Sequence, residues 1–165
     1  MRVLILSTIL LLACYESETP LVNCPVVEAL HYEMEGNAGC MIISDGKMLV
    51  VRDKKSGKLG FPAGAAVKTE KATCTAYRET LEETGNQVIV RSLLAYFKEE
   101  NFFLFDCQLR SPVKTTVPAG VADEIDFIYW LSPIDLKSAD WRFSEQFETV
   151  IRIFKYQSNL ISRGK

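Results

Sequence analysis

The chain has 165 residues, 48% of them hydrophobic and 24% charged, which is enough for one domain with a sizeable core and too apolar for a disordered chain. A formal net charge of -2 gives no support to general nucleic-acid binding, a role that shows as a basic patch or a high pI. With a single histidine, His31, and no cysteine pattern beside it, a zinc site is disfavoured; there is no internal repeat and no low-complexity tract.

The first residues, MRVLILSTILLLAC, place one arginine before an apolar run from Val3 to Ala13. That run is too short to cross a bilayer as a helix and suits the core of a signal peptide, so residues 1–13 are read as an export signal. Leu11-Leu12-Ala13-Cys14 resembles the lipobox of bacterial lipoproteins, and the resemblance implies cleavage before Cys14 and its lipidation. The expected address is therefore the periplasm or cell envelope, with membrane attachment through Cys14. Residues 14–36 follow as an acidic tether, in which Val26, Val27, Ala29 and Leu30 are free to dock as an edge strand or a short helix.

Ala38 to Ser44 and Met48 to Asp53 are β-rich runs joined by Asp45-Gly46, a dipeptide suited to the positive φ angles of a tight hairpin. A basic loop with Lys54, Lys55 and Lys58 then leads into Phe61-Pro62-Ala63-Gly64. A solvated loop is the ordinary reading of those lysines; contact with substrate phosphates is the alternative.

The stretch from Gly64 to Asn86 is the candidate seat of the chemistry. Good helix formers run up to Gly85, a residue suited to the left-handed position after a helix, and Thr69 is the expected N-cap with Glu70 in the first turn. At about 100° per residue, Glu79, Glu82 and Glu83 share one face while Cys74, Tyr77 and Leu81 share the opposite one. Like charges three and four apart oppose helix formation, so such a face needs solvent, an arginine or a cation, and hard divalent ions take carboxylate oxygens.

Beyond the helix, Val88 to Phe97 and Phe102 to Leu109 read as paired strands, Ser111 to Ala122 as a loop, and Ile125 to Leu131 as another strand. Ser144 is the expected cap of a last helix whose core stripe is Phe147, Val150, Ile151, Phe154 and Ile161.

The spacing of Gly64, Glu70, Arg78, Glu79, Glu82, Glu83 and Gly85 resembles the signature of the Nudix hydrolases. At ordinary residue frequencies, a chance match at all the fixed positions is on the order of one in a million. Two aliphatic positions of the signature hold Thr80 and Asn86 instead, a departure expected to weaken local packing rather than chemistry. The resemblance implies an α/β fold, a Nudix-like αβα sandwich over residues 37–165, with a mixed sheet between the signature helix and the C-terminal helix. It also implies metal-dependent hydrolysis of a small-molecule diphosphate, typically a nucleoside diphosphate linked to another group, with Mg²⁺ or Mn²⁺ as cofactor.

Carried over by matching positions, Glu82 and Glu83 are implied metal ligands, Glu79 a further ligand or the general base, and the Gly64 carbonyl a completing ligand. Arg78 orients the carboxylates and Glu70 is structural. Glu124 is chosen over Asp123 and Asp126 as an acid recruited from outside the signature. A non-catalytic ligand-binding module on the same fold is the rival reading, and the retained acids Glu79, Glu82 and Glu83 argue against it. No P-loop or dinucleotide fingerprint is present. Among Cys14, Cys24, Cys40, Cys74 and Cys107, at most one disulfide is expected, with Cys74 reduced and pointing into the core.

Overall fold

The computed structural model describes residues 24–25, 34–110 and 112–163. The export signal, Cys14, Val26 to Leu30 and His31 lie outside the described residues. Strands β1 (Asn37–Met41), β5 (Ala63–Gly64), β6 (Val88–Phe97) and β7 (Phe102–Leu109) form one sheet in the order β5-β1-β7-β6. It is mixed, because β1 runs parallel to β7 and the other pairs are antiparallel. In the second sheet β3 (Lys47–Asp53) pairs with β2 (Ile43–Ser44), β4 (Leu59–Gly60) and β8 (Ile125–Leu131). The chain passes from one sheet to the other at Ile42, so the two expected runs form a hairpin only over β2 and β3. Its turn has Asp45 at φ 48° and Gly46 at φ 71°, the double positive φ that the dipeptide suggests.

Alternation along the strands builds two cores. Ala38, Cys40, Leu49, Val51, Phe103 and Phe105 face helix α1 (Ala72–Thr84) on one side. Met41, Met48, Val50 and Leu104 face helix α3 (Phe147–Arg163) on the other, with the short α2 (Pro133–Leu136) beside it. This period of two, buried on both sides, is the αβα sandwich of the expected fold class. Val150, Ile151 and Phe154 of α3 are buried, but Ile161 is 41% exposed, because the helix outruns the sheet. Ser144 opens a 3₁₀ turn ahead of α3 and caps nothing with its side chain, its hydroxyl contacting only the Glu145 carboxylate.

Two further expectations fail for nonlocal reasons. Thr69 is not the N-cap: it stands at φ 62°, in the left-handed region, and α1 begins at Ala72 after Lys71. The Ala72 N–H donates to the carbonyl of Met34 at 2.7 Å, so a distant segment satisfies the helix end that a local cap was expected to satisfy. Cys74 is not reduced either. It bridges Cys24 with Cα atoms 5.2 Å apart, and Cys40 bridges Cys107 with Cα atoms 5.5 Å apart, giving two disulfides where at most one was expected. Cys74 lies early in the helix, on the flank where the preceding segment returns: the Pro25 carbonyl accepts from Val90 N–H, and Glu35 bridges Lys71.

Candidate active site

Helix α1 presents its acids to the strand in front of it. Ala63, Gly64 and Ala65 each engage one side chain of the signature. Ala63 N–H donates to Glu83 Oε2 at 2.9 Å, the Ala65 carbonyl accepts from Arg78 Nη2 at 2.8 Å, and the Glu79 carboxylate lies against Gly64 Cα. A Cβ at position 64 would fall on the Glu79 carboxylate, which is the physical reason for glycine there.

Arg78 sits at the centre. It donates from Nε and Nη2 to the two oxygens of Glu70, both at 2.9 Å, and from Nη1 to Glu79 Oε1 at 2.7 Å and Glu82 Oε2 at 3.0 Å. Glu70 is buried and also accepts from Val67 N–H and Thr75 Oγ1. Burial pushes its carboxyl up, but the bonds from Arg78, Val67 and Thr75 outweigh burial and hold it below the usual range. Glu70 is thereby a fixed anion that clamps the arginine.

Glu79 and Glu83 are in the opposite condition. Burial raises the Glu79 carboxyl despite the Arg78 charge beside it. Burial pushes Glu83 up to about 8; the Ala63 N–H bond opposes the shift, and the charges of Glu79 and Glu124 add to it. Glu82 is the outermost member, with about half of its side chain exposed. Of the three acids weighed outside the signature, Glu124 is the one whose charge reaches Glu83. Asp126 is taken by a bidentate pair with Arg52 and Asp123 by Lys54.

The two departures from the signature are satisfied polar sites. Thr80 Oγ1 donates to the Ala76 carbonyl at 2.7 Å inside the helix. Asn86 is fully buried and bonds both backbone groups of Lys114, at 2.7 and 2.9 Å, which ties the 112–122 loop to the end of α1. The expected weakening of packing is therefore replaced by a polar clamp.

The basic loop is engaged elsewhere. Lys54 Nζ donates to the Ala122 carbonyl at 2.6 Å, Lys58 pairs with Asp140 at 3.9 Å, and Lys55 is exposed. Sequence reasoning passed over the cavity of about 430 Å³ that borders residues 63–65, walled by Phe61, Phe102, Trp141, Arg142 and Phe143 as well as by Gly64. Trp141-Arg142-Phe143 was its one legible sign, two aromatics around an arginine just before the last helix.

Among the described residues, no three acids, cysteines or histidines converge in ligating geometry, and the Arg78 guanidinium lies between Glu79 and Glu82. The donor set nonetheless fits a hard divalent ion: carboxylate oxygens on one helix face, two of them on groups whose ionised form is disfavoured without a cation.

The NUDIX domain family matches residues 35–151 of the chain. The chain belongs to the Nudix hydrolase family. Solved structures agree at the level of fold. A NUDIX hydrolase from Nitrosomonas europaea superposes with a TM-score of 0.60 at 23% identity, covering 76% of this chain and 73% of that one. An ADP-ribose pyrophosphatase from Streptococcus suis superposes at 0.61 with 14% identity, covering 75% of this chain and 92% of that one. A UDP-X diphosphatase gives 0.59 at 21% identity, over 79% of this chain and 68% of that one. No curated protein matches the chain.

Proposed function

We propose that this Nudix protein hydrolyses the diphosphate linkage of a nucleoside diphosphate joined to another group, with Mg²⁺ or Mn²⁺ held by Glu79, Glu82 and Glu83. The observation that carries the proposal is the shared segment: Ala63, Gly64 and Ala65 touch Glu83, Glu79 and Arg78 and also line a largely apolar cavity. A bound divalent ion supplies charge neutralisation and an acidified water. The residues do the rest. Glu70 fixes Arg78, Arg78 fixes Glu79 and Glu82, and Glu83 is held by the Ala63 N–H, so the carboxylates are positioned before any ion arrives. Glu79, whose carboxyl burial raises above the usual range, is the candidate to accept a proton from the attacking water.

The same proposal extends to address, with residues 1–13 as an export signal and Cys14 as a lipidated terminus; of the expected tether 14–36, Cys24, Pro25, Met34 and Glu35 are bonded to the domain instead. Two disulfides suit an oxidising compartment. Mass spectrometry of the cellular protein tests this, and an intact Met1 terminus refutes it.

The activity test is a panel of ADP-ribose, UDP-glucose and diadenosine tetraphosphate with Mg²⁺, assayed for monophosphate release by the wild type and by the Glu82→Gln, Glu83→Gln double variant. The expected result is turnover that the double variant loses with its fold intact. Wild-type turnover by the variant places the chemistry elsewhere, and binding without turnover favours the non-catalytic module.

A further inference from the structure

Arg142 is the residue that the family signature does not reach. It lies in the loop between α2 and α3, and its backbone N–H donates to the Leu59 carbonyl at 2.8 Å, which fixes the loop against β4. Its guanidinium rests over the Phe143 ring at 5.5 Å and forms no hydrogen bond or ion pair among the described residues. The residue lines the same cavity as Gly64 and is within electrostatic reach of both Glu83 and Asp53. A cation with no direct anionic partner thus stands where the aromatic wall meets the carboxylate cluster.

Two requirements meet at that point. Phe61, Phe102, Trp141 and Phe143 line the cavity and make it suited to an apolar group, and a diphosphate running from it toward Glu79 and Glu83 needs a cation on the way. A guanidinium matches phosphate oxygens with paired N–H donors and stacks on an aromatic ring, which an ammonium does less well.

We propose that Arg142 is a substrate-binding residue that holds the ribose-linked phosphate of a nucleoside whose base is seated in the aromatic cavity, so that the diphosphate is presented to the carboxylate face. The proposal rests on the hydrolase reading for its orientation but concerns binding.

Calorimetry with Ca²⁺ in place of Mg²⁺ measures it, using ADP, GDP, CDP and UDP and their four parent nucleosides against the wild type, Arg142→Gln and Arg142→Lys, each checked for an unchanged melting temperature. The wild type is expected to bind at least one of the diphosphates. Arg142→Gln should weaken it tenfold or more and leave the nucleoside unchanged, with Arg142→Lys in between. Equal diphosphate affinity in wild type and Arg142→Gln overturns the assignment. So does an equal loss for the nucleoside, or a wild type that binds none of the four. Hydrolysis of the substrate panel, run in parallel with Mg²⁺, separates the two readings. Turnover with no effect of Arg142→Gln sinks Arg142 alone, whereas Arg142-dependent binding without turnover sinks hydrolysis alone.

Discussion

Glu83 offers a test of the site that needs no substrate. The residue is 7% exposed, and burial pushes its carboxyl up to about 8, against 4.5 for an ordinary glutamate. Below about pH 4.5 the group is protonated in both folded and unfolded chains and contributes no pH dependence. As pH rises toward 8 the unfolded chain ionises while the folded chain keeps its proton, so metal-free stability falls, and above 8 the loss is complete. At about 1.4 kcal/mol per pH unit, the full loss is roughly 4 to 5 kcal/mol. Glu83→Gln removes it, because an amide oxygen still accepts from Ala63 N–H and carries no charge. In EDTA, urea unfolding should show the variant close to wild type at about pH 5 and more stable by roughly 4 kcal/mol at about pH 8.5. An equal difference at both pH values would refute the argument, since Glu83 would then carry no displaced titration. Added Mg²⁺ should narrow the gap at high pH by binding the ionised wild-type site alone.

Three other outcomes follow from the packing. Asn86→Leu, which restores an aliphatic residue at a signature position, should cost about 2 to 4 kcal/mol by urea titration, because the Lys114 N–H and carbonyl lose their partner. Gly64→Ala should lower kcat at least tenfold in the diphosphate assay by forcing the Glu79 carboxylate from its seat. Thiol counting in denaturant should find Cys24, Cys40, Cys74 and Cys107 blocked, and reducing the bridges, which close loops of 50 and 67 residues, should cost about 4 kcal/mol each by the chain-entropy estimate.

What the sequence disclosed follows the range of the interactions. Strands β6, β7 and β8 are legible to the residue because alternation and turn chemistry are local, and Gly85 is a C-cap at φ 67° for the same reason. Spacing on α1 likewise foretold a shared face for Glu79, Glu82 and Glu83. What could not be read was decided across the chain. The start of α1 is capped from Met34, and Cys74 meets a residue 50 positions away. A helical wheel assigned Cys74 to the core because it knows only two sides, one apolar and one polar. In the folded chain α1 also has a flank against the returning segment, and there a half-buried cysteine is bonded rather than packed. The cavity follows the same rule. Phe61, Phe102 and Trp141 lie in three separate parts of the sequence and acquire a common surface only when β1 joins β5 to β7 and Trp141 bridges Leu59. A carboxylate face can be written in one helix, because the helix turn sets the distances between its side chains. A cavity built from distant segments cannot, and that is why only Trp141-Arg142-Phe143 hinted at the aromatic wall before the fold assembled it.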